Sequence, residues 1–391
     1  MKNRKLERAP RRAHEAAFTM IELMVAMAIF LIISAAAFSL FASHQPVFSQ
    51  QQNLAEVNIA LRNAVAQMQL DIANAGANYY AGNNIPNYPV GVTVTNNVVA
   101  AGGDCRSGTP LVYGANCFDS FNIITADSST PPTNPVNTGC AVTSSSSTIY
   151  LAPSGVSTGY ATAALATAAA ANYKSGDQLL LVKSDGSQYT TIQLTAAGST
   201  GTGSTAPNTN LYVALTGHTT TTAAGLNTTT TDPYNMSTNT NSMLGATFCS
   251  TDYLLRLIPI TYSVDTSTSI PTLIRTVAGT TQTLAQKTLA TQVIGFKVGV
   301  SLFNATTDTD TTTYCFNAQS YDPNCPGVTS GTNGAWAYNY TLVRSMMVSL
   351  IGRTNPSVDP TYVYRNSFDS GSYQIQGVSA VINPRNMSMT D

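Results

Sequence analysis

The stretch FTMIELMVAMAIFLIISAAAFSLFA at residues 18–42 constrains this chain most, and Glu22 is its only ionisable side chain before His44. Residues 23–42 offer twenty positions without a charge, roughly 30 Å of helix and so the hydrocarbon thickness of a bilayer. A carboxylate entering such a run costs about 2.5 to 3.5 kcal/mol near a helix centre, so its presence points to a use for Glu22. Upstream, Lys2, Arg4, Lys5, Arg8, Arg11 and Arg12 form a basic leader of the kind held on the cytoplasmic side. An ordinary secretory signal would end in a small-residue cleavage site, which Ser34, Ala35, Ala36 and Ala37 could supply. That reading leaves Glu22 without a role.

Ala17, Phe18, Thr19, Met20, Ile21, Glu22 and Leu23 resemble the cleavage and methylation signature of type IV prepilins and pseudopilins. The resemblance implies that a membrane-embedded aspartyl peptidase cuts between Ala17 and Phe18, and that the new amine of Phe18 is N-methylated. The residue before the cut is usually Gly in that family. Ala17 departs from this and implies slower processing. The resemblance also implies a role for Glu22, the fifth residue after the cut: pairing with the N-terminal amine of a neighbouring subunit inside a filament core. Two opposite charges leaving water together cost far less than either alone, so such a pair favours one axial register. Without the flanking motif, Glu22 reads as an interfacial carboxylate that snorkels or is protonated.

Helical periodicity continues past the apolar run. Leu54, Val57, Leu61, Val65, Met68 and Ile72 recur at spacings of three and four, with polar residues mostly between them. Gly76 reads as a C-cap, giving one helix over about 19–75 on the order of 85 Å long. Its first half would lie in lipid or filament core and its second under a globular domain. Pro46 is expected to kink or loosen the helix near His44.

The chain has 391 residues, only 9% of them charged, and its polar content is mostly Thr, Ser, Asn, Gln and Gly, as in an exported β-rich protein. Removing the leader takes six of 18 basic and two of 19 acidic residues, leaving a net charge of about −5 that does not suggest nucleic-acid binding. All six cysteines fall in the region expected outside the cytoplasm, where an even count argues for disulfides. Short loops close most readily, which favours Cys105 with Cys117 and Cys315 with Cys325, leaving Cys140 for Cys249. A zinc site is the rival reading, but neither a CxxC pair nor an adjacent His supports it.

Strand-like runs appear at 178–182 and 189–194, then at 253–264, 271–277, 293–303 and 340–351; the last four read as one antiparallel sheet with a buried face. Packed on the apolar stripe, they predict an α+β fold with the long N-terminal helix as its spine and long loop insertions. The expected organisation is a basic leader at 1–17 and a helix at 18–76, transmembrane at about 23–42. A variable, disulfide-containing Thr/Ser/Asn-rich region at 77–248 and a C-terminal antiparallel sheet at 249–391 follow.

Catalysis finds little support. His14, His44 and His218 are scattered, and a Ser/His/Asp set would need His218 with a remote carboxylate. Asp308 and Asp310 read as a solvated acidic turn rather than a calcium loop, and Trp336 as a core aromatic. No cofactor or metal is expected.

Several ectodomain segments resemble PilW-type minor pilins: Met68, Leu70, Asp71, Ile72, Ala75 and Gly76 at the helix end, Ile260, Thr261 and Tyr262 with Leu273, Ile274 and Arg275, and Val343, Arg344, Val348, Leu350 and Arg353. The J-type pseudopilins of type II secretion share similar features. The resemblance implies a non-enzymatic minor pilin that primes pilus assembly and ends at the tip. The implied partners are other minor pilins and the major pilin, a prepilin peptidase and an inner-membrane assembly platform. It also implies a single inner-membrane pass, with the N-terminus cytoplasmic and the ectodomain periplasmic, before arrival at the pilus and cell surface. A minor pseudopilin of type II secretion and a pilus-associated adhesin are the alternatives.

Overall fold

Helix α1 (Met20–Ala73) is a single 54-residue helix that runs through Pro46 without a break. The computed structural model describes residues 19–76, 91–95, 105–108, 112–127, 129–136, 142, 148–156, 158–185, 189–194, 196–201, 211–216, 247–277, 280–283, 292–304, 309–310, 314, 343–356, 364–367 and 370–384. Ala17, Phe18, Cys140, Cys315, Cys325, His14, His218, Asp308 and Trp336 lie outside the described residues. The fold is α+β, an apolar N-terminal helix followed by an antiparallel β domain. It divides into one unit ending at Asn53 and a second beginning at Leu54.

In the second unit α1 buries the stripe its periodicity implies. Val57, Leu61, Ala64, Val65, Met68 and Ile72 are buried, whereas Ile59 and Leu70, off the stripe, are exposed. Each large side chain so covered contributes roughly 1.5 to 3 kcal/mol, well above what helix propensity alone supplies. Close approach is possible because Gly352 faces the helix: a Cβ there would lie 3.0 Å from Val57 Cγ1 and 3.2 Å from Leu61 Cδ1. Gly76 ends the helical turn at φ 72°, a left-handed conformation suited to glycine, and its N–H donates to the Ile124 carbonyl at 3.3 Å.

The four runs of the last third do not form one sheet. Among the described residues, strand Tyr253–Asp265 belongs to an 11-stranded antiparallel sheet built largely from the middle of the chain, and Gln292–Asn304 and Val343–Arg353 form a separate four-stranded sheet with Ile375–Ile382 and Thr309–Asp310. Pattern reveals which face of a strand is buried but not which neighbour it pairs with. Tyr253–Asp265 is long enough to serve two cores. Its C-terminal half pairs with Ser120–Ala126 and Thr272–Val277, placing Ile260 and Tyr262 against α1, Phe121 and Phe296. Its N-terminal half pairs with Gln178–Val182, and Leu254 joins Leu151, Leu179, Leu181 and Val213 in a second core.

Helix α2 (Ala163–Ala170) caps this second core through Ala170. Its alanines favour helix, and the Thr162 hydroxyl accepts the Leu165 N–H at 3.2 Å as an N-cap. The two sheets are joined at Asp119. Its N–H donates to the Phe296 carbonyl at 3.0 Å, and its buried carboxylate accepts from Val298 N–H and Lys297 Nζ, each at 2.9 Å.

Cys105 and Cys117 form a disulfide with a Cα–Cα distance of 5.2 Å, closing the hairpin of Arg106–Ser107 and Val112–Tyr113. The guanidinium of Arg353 sits 5.7 Å from the Tyr113 ring centroid and 4.7 Å from that of Tyr373, tying this hairpin to the second sheet. Cys249 is also disulfide-bonded. Val142 and Phe248 form an antiparallel bridge, the Phe248 N–H donating to the Val142 carbonyl at 2.8 Å. This bridge joins the segments adjoining Cys140 and Cys249. Non-reducing peptide mapping is therefore expected to yield a Cys140–Cys249 cross-linked peptide, and a peptide joining Cys249 to Cys315 or Cys325 would contradict this.

Candidate functional site

At the start of α1, sequence spacing becomes a specific contact. Thr19 donates its backbone N–H to Glu22 Oε2 at 2.9 Å and its hydroxyl to the same oxygen at 3.0 Å. The Glu22 N–H in turn donates to Thr19 Oγ1 at 3.3 Å. This reciprocal pattern is a capping box, which satisfies donors that a helix start otherwise leaves unpaired. The carboxylate also lies at the positive end of the helix dipole. Thr19 is the residue whose role sequence reasoning missed. The Thr-x-x-Glu spacing was its available signal.

Beyond Glu22 the helix presents exposed apolar side chains. Phe30 is 68% exposed, Phe38 74% and Phe41 72%, and none of the span Met20–Ala42 is buried. Such a contiguous apolar surface is stable only in lipid or against other apolar helices.

A second cluster fixes the opposite end of α1. Asp71 carries a negative charge near the helix C-terminus, where the dipole disfavours it and the last turn supplies no basic residue. The compensation comes from the sheet. Arg275 Nε donates to Asp71 Oδ2 at 2.6 Å and its NH2 group to Oδ1 at 3.1 Å, while the buried Tyr262 hydroxyl donates to Oδ2. Gln67 adds a bond to Oδ1 at 3.3 Å. Tyr262 and Arg275 are direct partners across adjacent antiparallel strands, so one register presents both donors to one carboxylate. A third charged group, Arg256, lies between Asp127 at 2.8 Å and Asp177 at 2.9 Å.

These clusters set a pH dependence. Burial pushes the Tyr262 phenol above its ordinary value of 10.0, and its hydrogen bond to Asp71 adds to this. Burial alone would raise Asp127, but hydrogen bonds from Ser129 and Thr130 and the Arg256 charge together hold it below its ordinary 3.8. A carboxyl depressed on folding contributes stability above about pH 4 that is lost as pH falls through its folded value. A phenol raised on folding contributes below about pH 10, and this is lost as pH rises through its folded value. Thermal melts followed by circular dichroism should give lower midpoints at about pH 3 and pH 11 than at pH 7. Equal midpoints at all three would contradict the assignment.

A family model described as Prokaryotic N-terminal methylation motif matches residues 12–38, spanning the leader end, the capping box and most of the apolar helix. The match marks a type IV pilin-like or pseudopilin-like N-terminus, a structural rather than typically enzymatic family, and with the apolar helix it indicates single-pass membrane anchoring. No curated protein and no solved structure matches the chain significantly.

Proposed function

We propose that this chain is a PilW-like minor pilin, a non-enzymatic subunit that takes part in priming type IV pilus assembly and sits at the pilus tip. It enters the inner membrane with its basic leader cytoplasmic and its ectodomain periplasmic. Prepilin peptidase cuts between Ala17 and Phe18, and Phe18 is methylated. The assembly platform then brings the processed helix together with other minor pilins and the major pilin.

The observation that carries this reading is the exposed apolar helix whose first turn holds Glu22 in a capping box with Thr19, inside the matched methylation motif. A helix of this kind is suited first to lipid and then to a bundle of like helices, where one buried carboxylate can select the register. Bulk supports tip placement. An ectodomain with two sheets would crowd its neighbours if repeated along a filament, whereas a tip leaves space.

Deleting the gene and counting surface pili tests the proposal. Loss of pili, restored by the intact gene, is expected. Normal piliation with defective protein secretion would assign the chain to a type II secretion pseudopilus instead.

A further inference from the structure

A cavity of about 680 Å³ opens in the part of the domain built around the second core, where strand Thr133–Pro135, the end of α2 and the start of strand Tyr253–Asp265 meet. Its volume lies within the range of about 300 to 1,000 Å³ usual for small-molecule sites. Of the residues lining it, Tyr173 is buried, Tyr160 and Tyr253 are half-buried, and Asn172, Ser184 and Thr251 are exposed. Prolines contribute further apolar surface. Among the described residues lining it, none is Asp, Glu, Lys, Arg or His.

Asp252, next to the lining residues Thr251 and Tyr253, is turned to structural use. The Asp252 carboxylate accepts the backbone N–H of Ser184 at 2.8 Å and of Cys249 at 2.7 Å, and its carbonyl accepts the Asn134 side-chain amide at 2.6 Å. Asn134 Oδ1 in turn accepts the Gly155 N–H at 2.8 Å. These bonds tie together four segments of chain around the cavity, so little ordering remains to be done when a ligand enters. Burial pushes the Tyr173 phenol up to about 12 and raises Tyr160 as well. Both stay protonated and neutral across the physiological range.

We propose that this cavity binds a neutral saccharide. Aromatic and proline faces suit the C–H faces of a sugar ring, and phenol, hydroxyl and amide groups suit its neutral hydroxyls. Among the described residues of the lining, a sulfated, phosphorylated or carboxylated ligand would find no cation to offset desolvation of its charge. The inference rests on the cavity alone and does not depend on the filament reading.

The test uses the full chain in a polyoxyethylene detergent, since an alkyl glycoside would bring its own sugar. The protein is screened against immobilised neutral oligosaccharides, with sulfated glycans and a polyproline peptide alongside, and the strongest neutral binder is then titrated in solution. Saturable neutral-glycan binding is expected, weakened at least tenfold by Tyr160→Ala. Because Tyr160 is half-buried, Asn172→Lys, at an exposed lining residue, serves as a second variant, expected to weaken binding as much while leaving the melting midpoint unchanged. Absence of neutral-glycan binding, binding untouched by well-folded variants, or preference for the sulfated glycans or the polyproline peptide would overturn the proposal.

Discussion

Replacing Asp71 by Ala is expected to destabilise the ectodomain by about 3 kcal/mol, because breaking a buried pair leaves its partner charge uncompensated. Two groups lose their acceptor at once: the Arg275 guanidinium and the buried Tyr262 hydroxyl both donate to this carboxylate. Tyr262→Phe removes one donor and leaves the ion pair standing, so it should cost only about 1 kcal/mol. For a domain of this size, Leu54 to Asp391, a 3 kcal/mol loss lowers the melting midpoint by roughly 4 °C. A midpoint for Asp71→Ala within about 2 °C of the unmutated protein would mean that the helix end is held by apolar packing alone.

The second large effect concerns assembly rather than stability. Glu22 can serve the chain in two ways, as the N3 member of its own capping box and, under the proposed reading, as the partner of a neighbouring subunit's amine. Glu22→Gln separates them. The amide oxygen can still accept the Thr19 N–H, so the cap survives, while the charge is lost. Membrane insertion and leader cleavage should proceed, yet recovery of the variant in sheared filaments should fall at least tenfold. If Glu22→Gln enters filaments as well as the unmutated chain, while Glu22→Ala does not, capping rather than charge pairing would be the function of this residue.

Much of the anchor and of the helix was legible because each depends on local pattern. The apolar run at 18–42 needs no tertiary information. The stripe from Val57 to Ile72 repeats at helical spacing and is buried as expected. Strands at 253–265, 272–277, 292–304 and 343–353 show themselves through β-branched and aromatic content. Their division between two sheets was not legible, since it is decided by strand pairings such as Tyr262 with Phe121 and Lys297 with Ser349, distant in sequence.

The same applies to the clusters. Asp71 and Arg275 are each ordinary residues in the sequence, and only the pairing of Tyr262 with Arg275 across two strands shows that they form one site. Helix α2 went unread because its alanine-rich segment lies within a Thr- and Ser-rich region whose composition suggests loop. The saccharide cavity lies beyond sequence reasoning altogether. Its lining comes from strand ends and connecting segments that carry no motif.

The most direct test is mass spectrometry of the intact protein recovered from native membranes and filaments. A mature chain that begins at Phe18, carries one methyl group on its amine and lacks residues 1–17 is the predicted result. A chain that retains Met1, or begins within the alanine cluster near residue 35, would contradict the proposal that Glu22 is delivered beside a free N-terminal amine.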